Sequence, residues 1–186
     1  GYQAGYSITD GTGQVAMGDR ALYSATGNFN TGIGNLALNA NTTASNNTAV
    51  GYAALTANTT GRDNTAVGYS AGITNTTGLE NTAIGMYALR FNTTGETYTA
   101  VGLQALHRNT TASNNTAVGR NAMEANTTGT NNTAVGESSL GTNTTGSQNL
   151  ALGRVALSGN TTGNDNVAVG YNAIAVNTTG ASNVAV

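Results

Sequence analysis

Asparagine followed by two threonines is the chemistry this chain offers most often. Asn-Thr-Thr begins at Asn41, Asn58, Asn75, Asn92, Asn109, Asn126, Asn143, Asn160 and Asn177, each 17 residues after the one before. Every one is an N-x-[ST] sequon, the acceptor pattern for N-linked sugar, so these nine are candidate glycosylation sites. Asn46, Asn114 and Asn131, each before Asn-Thr, bring the sequons to twelve. The same nine asparagines have a second use. Identical amides at one position of a stacked repeat hydrogen-bond to each other along the axis. An inward ladder of that kind leaves no room for sugar. The paired threonines give two neighbouring hydroxyl columns, whose third use is to order water at ice-like spacing on a flat face. Against it, they lie beside Gly in a turn, and T-x-T on a strand suits such a face better.

The remaining reactive groups are sparse. There is one His, His107, at a variable place in the repeat, next in the array to Arg90 and Glu124. It reads as a residue on an exposed edge. The carboxylates Asp10, Asp19, Asp63, Glu80, Glu96, Glu124, Glu137 and Asp165 are scattered over the repeat, and no stacked pair for acid–base work is expected. No Cys is present, which removes disulfides and thiolate metal sites. Gly11-Thr12-Gly13 is turn material, because a phosphate loop needs a strand before it and a helix after it. Neither enzyme chemistry nor a cofactor nor a metal is expected. Charged residues make up 8% of the chain and the net charge is −2, which argues against binding nucleic acid or anionic lipid. No apolar run is long enough to span a membrane as a helix.

The elements that place these groups follow from the period. The unit is N-T-A-V-G-Y-x-A-L-x-x-N-T-T-G-x-x; with its first Asn as position 1, that slot falls on Asn30, Asn47, Asn64, Asn81, Tyr98, Asn115, Asn132, Asn149, Asn166 and Asn183. Gly18 to Gly34 is 16 residues, a single deletion. A fixed period near 20 residues implies a solenoid. The expected fold is all-β, a parallel β-solenoid over residues 1–186, with about eleven 17-residue coils in one array. At roughly 4.8 Å per coil the rod is on the order of 50 Å long. The array starts and stops in mid-unit without polar caps, which points to a segment of a longer shaft or a unit that stacks end to end. Asn, Thr and Gly invite disorder, but apolar columns in register favour a narrow core.

Each unit carries two short apolar stretches, T-A-V-G at positions 2 to 5 and x-A-L at positions 7 to 9. Two strands and two turns per coil are expected. Position 4 is always apolar and position 2 turns apolar at Val15, Leu150, Val167 and Val184. Side chains alternate along a strand, so positions 2 and 4 are assigned to the interior, with Leu at position 9. Position 3 then faces out, yet it is Ala almost throughout. The column Ala49, Ala66, Ala83, Ala100, Ala117 and Ala134 becomes a candidate contact with another chain, as does Ala at position 8. On this assignment Val118→Asp breaks a coil and Ala117→Arg spares it. The opposite arrangement puts Ala inside and position 2 outside.

N-T-A-V-G-Y-x-A-L resembles the head repeats of trimeric autotransporter adhesins, whose core reads S-V-A-I-G-x-x-A. It is closer to the NTAVGYxAL arrays of bacteriophage and prophage tail-fibre proteins, and Gly1 to Thr9 (G-Y-Q-A-G-Y-S-I-T) looks like those arrays too. The resemblance covers essentially the whole chain, although adhesin heads repeat at a shorter period. It implies a parallel, left-handed β-roll, often a trimer, with Thr48, Val50 and Leu55 toward the core and Ala49 toward the neighbouring chain. The functional expectation is a structural shaft of an extracellular or virion fibre, self-associating as a homotrimer or end-to-end filament. Any cell-surface glycan or receptor would bind through parts absent here. The alternatives are a filament coated with N-linked sugar at the N-T-T turns and, lesser, an ice-binding solenoid.

Overall fold

A computed structural model describes all residues, Gly1–Val186. Eleven short strands form one parallel sheet in chain order: β1 Val15–Met17, β2 Thr31–Ile33, β3 Thr48–Val50, β4 Thr65–Val67, β5 Thr82–Ile84, β6 Thr99–Val101, β7 Thr116–Val118, β8 Thr133–Val135, β9 Leu150–Leu152, β10 Val167–Val169 and β11 Val184–Ala185. Each strand pairs with its own copy one coil on: Thr48 lies opposite Thr65, Ala49 opposite Ala66, Val50 opposite Val67. The chain is therefore a β-solenoid of 17-residue coils, with no helix.

Each coil holds one strand, where the sequence suggested two. The x-A-L stretch instead forms a turn in which positions 7 and 9 are left-handed: Ala53 has φ 55° and Leu55 φ 49°. Their amides bond in opposite directions along the axis. Ala53 N–H donates to Asn35 O of the coil before, and Leu55 N–H to Ala71 O of the coil after. Left-handed backbone costs an L-residue about 1–2 kcal/mol. Here it is offset by those inter-coil bonds and by burial of the position-9 side chain. It also explains Gly5 and Gly72, the two glycines at position 9: both have positive φ, so neither breaks the turn.

The Gly after each strand has a steric reason. At Gly51, φ is 135°, and an added Cβ would lie 2.4 Å from the Gly68 carbonyl oxygen of the next coil. Stacked at one coil's spacing, these glycines admit no side chain.

The strand's two faces are the reverse of the expected assignment. Ala49, Ala66, Ala83, Ala100, Ala117 and Ala134 are buried inside their own coils, and so are the position-8 alanines from Ala21 to Ala156. Positions 2 and 4 point outward. The reason is the coil's narrow section. A Cβ placed at Gly32, position 3 of its unit, would already lie 3.0 Å from Leu22 Cγ and 3.2 Å from the Ala37 carbonyl. Nothing larger than Ala fits between the strand and the facing turn, so valine must go outside. The position-9 residues, from Leu22 to Leu157, fill the rest of the apolar core as the sequence suggested.

Candidate functional site

The turns are built around two inward asparagine columns. At position 12, Asn75 Nδ2 donates to Asn58 Oδ1 at 2.9 Å and to its own turn's Gly78 carbonyl at 3.0 Å. Asn92 repeats this at 2.7 and 3.0 Å, Asn143 at 2.8 and 2.9 Å, and Asn160 at 2.9 Å for both. Both amide hydrogens are thus spent. From Asn41 to Asn160 the column is buried, and Asn177 makes the same two bonds at 2.9 Å in the last coil. The nine N-T-T asparagines, candidate glycosylation sites by sequence, therefore turn their amide nitrogens into the coil, eight of them buried and Asn177 half-buried.

A second column was not anticipated as a ladder. Position-1 Asn64 receives no solvent either; its backbone N–H and Nδ2 donate to Asn47 Oδ1 at 3.0 and 3.1 Å, and Nδ2 also donates to the Gly78 carbonyl at 2.9 Å. The Gly78 oxygen thus joins the two ladders. The signal is present in the sequence, since Asn fills position 1 in nine of the ten slots above. Tyr98 is the exception. Its ring occupies the core, its hydroxyl accepts from Asn109 Nδ2 at 2.6 Å, and burial pushes its phenol well above the ordinary range.

The two threonines of each turn differ. Position 13 spends its hydroxyl on the next coil, as Thr59 Oγ1 does on the Thr76 carbonyl at 3.1 Å. Position 14 is exposed in every N-T-T turn, from Thr43 to Thr179. The one-residue deletion falls here: Thr26 N–H and Gly27 N–H both donate to the Thr42 carbonyl, so the coil closes without a fourteenth residue.

The outward sheet face is a regular surface along the rod. Position 4 presents a valine or another aliphatic residue on every strand from Met17 to Val169, beside threonine at position 2 from Thr31 to Thr133. Position 6 flanks them with Tyr52, Tyr69 and Met86, each close to half exposed. Tyr52 and Tyr69 stack with ring centroids 5.0 Å apart. Farther along the same column Arg120 and Arg154 both bond to Glu137, and the two guanidinium groups hold that carboxyl below its ordinary range.

Two sequence expectations on titratable groups need correcting. Asp63 and Glu80 do share a position, the seventeenth, in adjacent coils. Arg62 pairs with Asp63 at 3.0 Å, and Asn46 Nδ2 donates to it at 3.0 Å, so this carboxylate is an anchored surface acid. His107 is not a free edge residue either. Its ring lies 5.2 Å from Phe91 and 6.2 Å from Tyr87, with both ring nitrogens out of contact with any partner. Burial, then the charges of Arg90 and Arg108, lower its pKa against the opposing pull of Glu124. A lowered folded pKa means that the unfolded chain binds the proton more readily. Stability present above the unfolded value of about 6.5 therefore falls as pH drops below it. The expected result is a thermal midpoint that declines between pH 7 and pH 5, with a smaller decline in His107→Gln. Equal declines in the two proteins would refute a role for this ring.

No family model, curated protein or solved structure matches the chain.

Proposed function

We propose that this chain is the structural shaft of an extracellular or virion fibre, and that copies associate side by side about a common axis, as a trimer, through the outward sheet face. The observation that carries the reading is the unbroken aliphatic column at position 4. Ten consecutive strands carry it; Met17, Val67, Ile84 and Val135 are exposed and the other six half-buried, and Met86 beside Ile84 is 46% accessible. Monomeric proteins rarely leave so continuous an apolar stripe in water. Its size is suited to a partner. Ten rungs at about 4.8 Å, across three columns spaced by about 7 Å, give roughly 600–700 Å² per chain, near the ~800 Å² per partner of a stable interface.

The rest of the molecule suits a passive, rigid rod. Ladder bonds run along the axis, each coil contacts mainly its neighbours, and threonine at position 2 lines the stripe with a β-branched residue that packs well on a sheet. The resemblance to adhesin heads and tail-fibre arrays points the same way. The alanine columns are no longer part of the reading, since they offer no surface. The face that was assigned to the core takes their place.

Light scattering coupled to size-exclusion chromatography tests this. The native protein should elute at about three times the 18.5 kDa chain mass. Val118→Asp, in the middle of the stripe, should lower the oligomer mass while the circular dichroism of the coil stays unchanged. A monomer at every concentration would sink the side-by-side shaft and leave the outward threonines free to face water or ice.

A further inference from the structure

We propose that Asn46, Asn114 and Asn131 are the sites at which this rod accepts N-linked glycan. Of the twelve sequons, the fold closes nine and opens these three. All three are exposed and occupy position 17, one residue before the buried position-1 ladder. Their φ values are 61°, 59° and 57°, a left-handed corner that Asn adopts readily and that precedes the strand.

The bonding at the amide separates the two groups. In the N-T-T turns a sugar would have to replace a hydrogen already donated inside the coil, as at Asn75, where both are used. Asn46 Nδ2 donates only to the exposed Asp63 Oδ1 at 3.0 Å, and Asn131 Nδ2 to Thr130 Oγ1 at 3.3 Å. Each keeps a second hydrogen in solvent. After N-glycosylation the amide nitrogen retains one hydrogen, so even these surface bonds survive. The hydroxyl that completes each sequon belongs to Thr48, Thr116 or Thr133, at position 2 of the outward face. Both parts of the acceptor therefore lie outside the coil, while the residue between them is buried.

The donor is an oligosaccharide linked through pyrophosphate to a lipid. Asn Nδ2 forms a bond to the anomeric carbon, the bond from that carbon to the pyrophosphate oxygen breaks, the lipid pyrophosphate leaves, and the amide proton passes to a carboxylate of the transferase. Asn114 and Asn131 stand one coil apart, about 5 Å along the axis. Glycans on that pair crowd each other, so occupancy of one should lower occupancy of the other. Asn46 is four coils away from Asn114 and fills independently.

The test is secretion of the full chain, carrying an added C-terminal sequon in a flexible tag, through a pathway that uses such a donor. The soluble, folded fraction is mapped peptide by peptide by mass spectrometry. The expected result is sugar on the tag, on Asn46, and on Asn114 or Asn131, with all nine N-T-T peptides bare. The triple variant Asn46→Gln, Asn114→Gln, Asn131→Gln should retain only the tag glycan. Sugar on any N-T-T asparagine of folded rods would overturn the proposal, as would a modified tag on rods whose three position-17 sites are all bare. The acceptor threonines lie on the face that the proposed trimer covers, so sugar is added before rods pair, and oligomer mass reads that pairing separately.

Discussion

Ala117→Arg should unfold the middle of the rod. Ala117 is fully buried on β7, between Ala100 and Ala134 in the paired strands. A Cβ is all the space there allows, since a Cβ at Gly32, the equivalent position, would lie 3.0 Å from Leu22 Cγ. An arginine must either open the coil or place a guanidinium in an apolar core. Burying an unpaired charge or overpacking a core each belongs to the few mechanisms that cost about 4 kcal/mol or more. Because coils contact mainly their neighbours, the damage should be local at first. Hydrogen exchange should lose protection from about β6 to β8 while coils at both ends keep theirs, and the cooperative melt should fall or split in two. Val118→Asp, one residue on, should behave oppositely. Its side chain points out, so the coil should still form and the loss should fall on association between chains. If instead Ala117→Arg melts like the native protein and only its oligomer mass changes, alanine faces a neighbouring chain and the strand is inverted.

This pair of residues also marks where reading the sequence succeeded and where it stopped. The period, the parallel in-register stacking and the leucine column at position 9 were legible, because each is a property of recurrence alone. The facing of the strand was not. Alternation fixes that positions 2 and 4 share a side, but it does not say which side. Hydrophobicity favoured valine inside, whereas volume decided for alanine, and volume depends on how closely the x-A-L turn approaches. That approach in turn rests on left-handed backbone at Ala53 and Leu55, which residues with ordinary side chains do not announce. Gly5 and Gly72, at position 9, were the available hint. Asparagine at position 12 has two uses by sequence, sugar or ladder, and the ladder is the one the fold builds. Asparagine at position 1 is as regular, and recurrence alone does not show that its amide points inward.

Asn126→Asp should be the most damaging near-isosteric change in the chain, and its effect should depend on pH. Asn126 Nδ2 donates to Asn109 Oδ1 at 3.2 Å and to the Gly129 carbonyl at 3.0 Å, and its Oδ1 accepts from Asn143 Nδ2 at 2.8 Å. A carboxylate keeps only the last of these bonds. It turns one oxygen toward two others, and it is a buried charge without a cation. Asn126→Ala would cost about 2–4 kcal/mol by leaving Asn109 Oδ1 unpaired and a small void; the ionised Asp should cost more. The Gly129 carbonyl would still accept from Asn115 Nδ2 at 2.8 Å, so the second ladder holds and the turn itself should survive. Burial raises the pKa of such a carboxyl, because the charged form is the disfavoured one. The unfolded chain titrates near 3.9. Above the raised folded value the full destabilisation applies; it lessens as pH falls through that value, since the protonated acid can donate one bond again, and levels off below about 3.9. The variant's deficit relative to the native protein should therefore shrink on acidification, whereas the native rod itself, through His107, weakens. Asn114→Asp, on the exposed edge, supplies the control: it lies outside both ladders and should show neither the loss nor the pH dependence. Equal melting curves for Asn126→Asp and Asn114→Asp at neutral pH would mean that the position-12 amides do not bear on the stability of the coil.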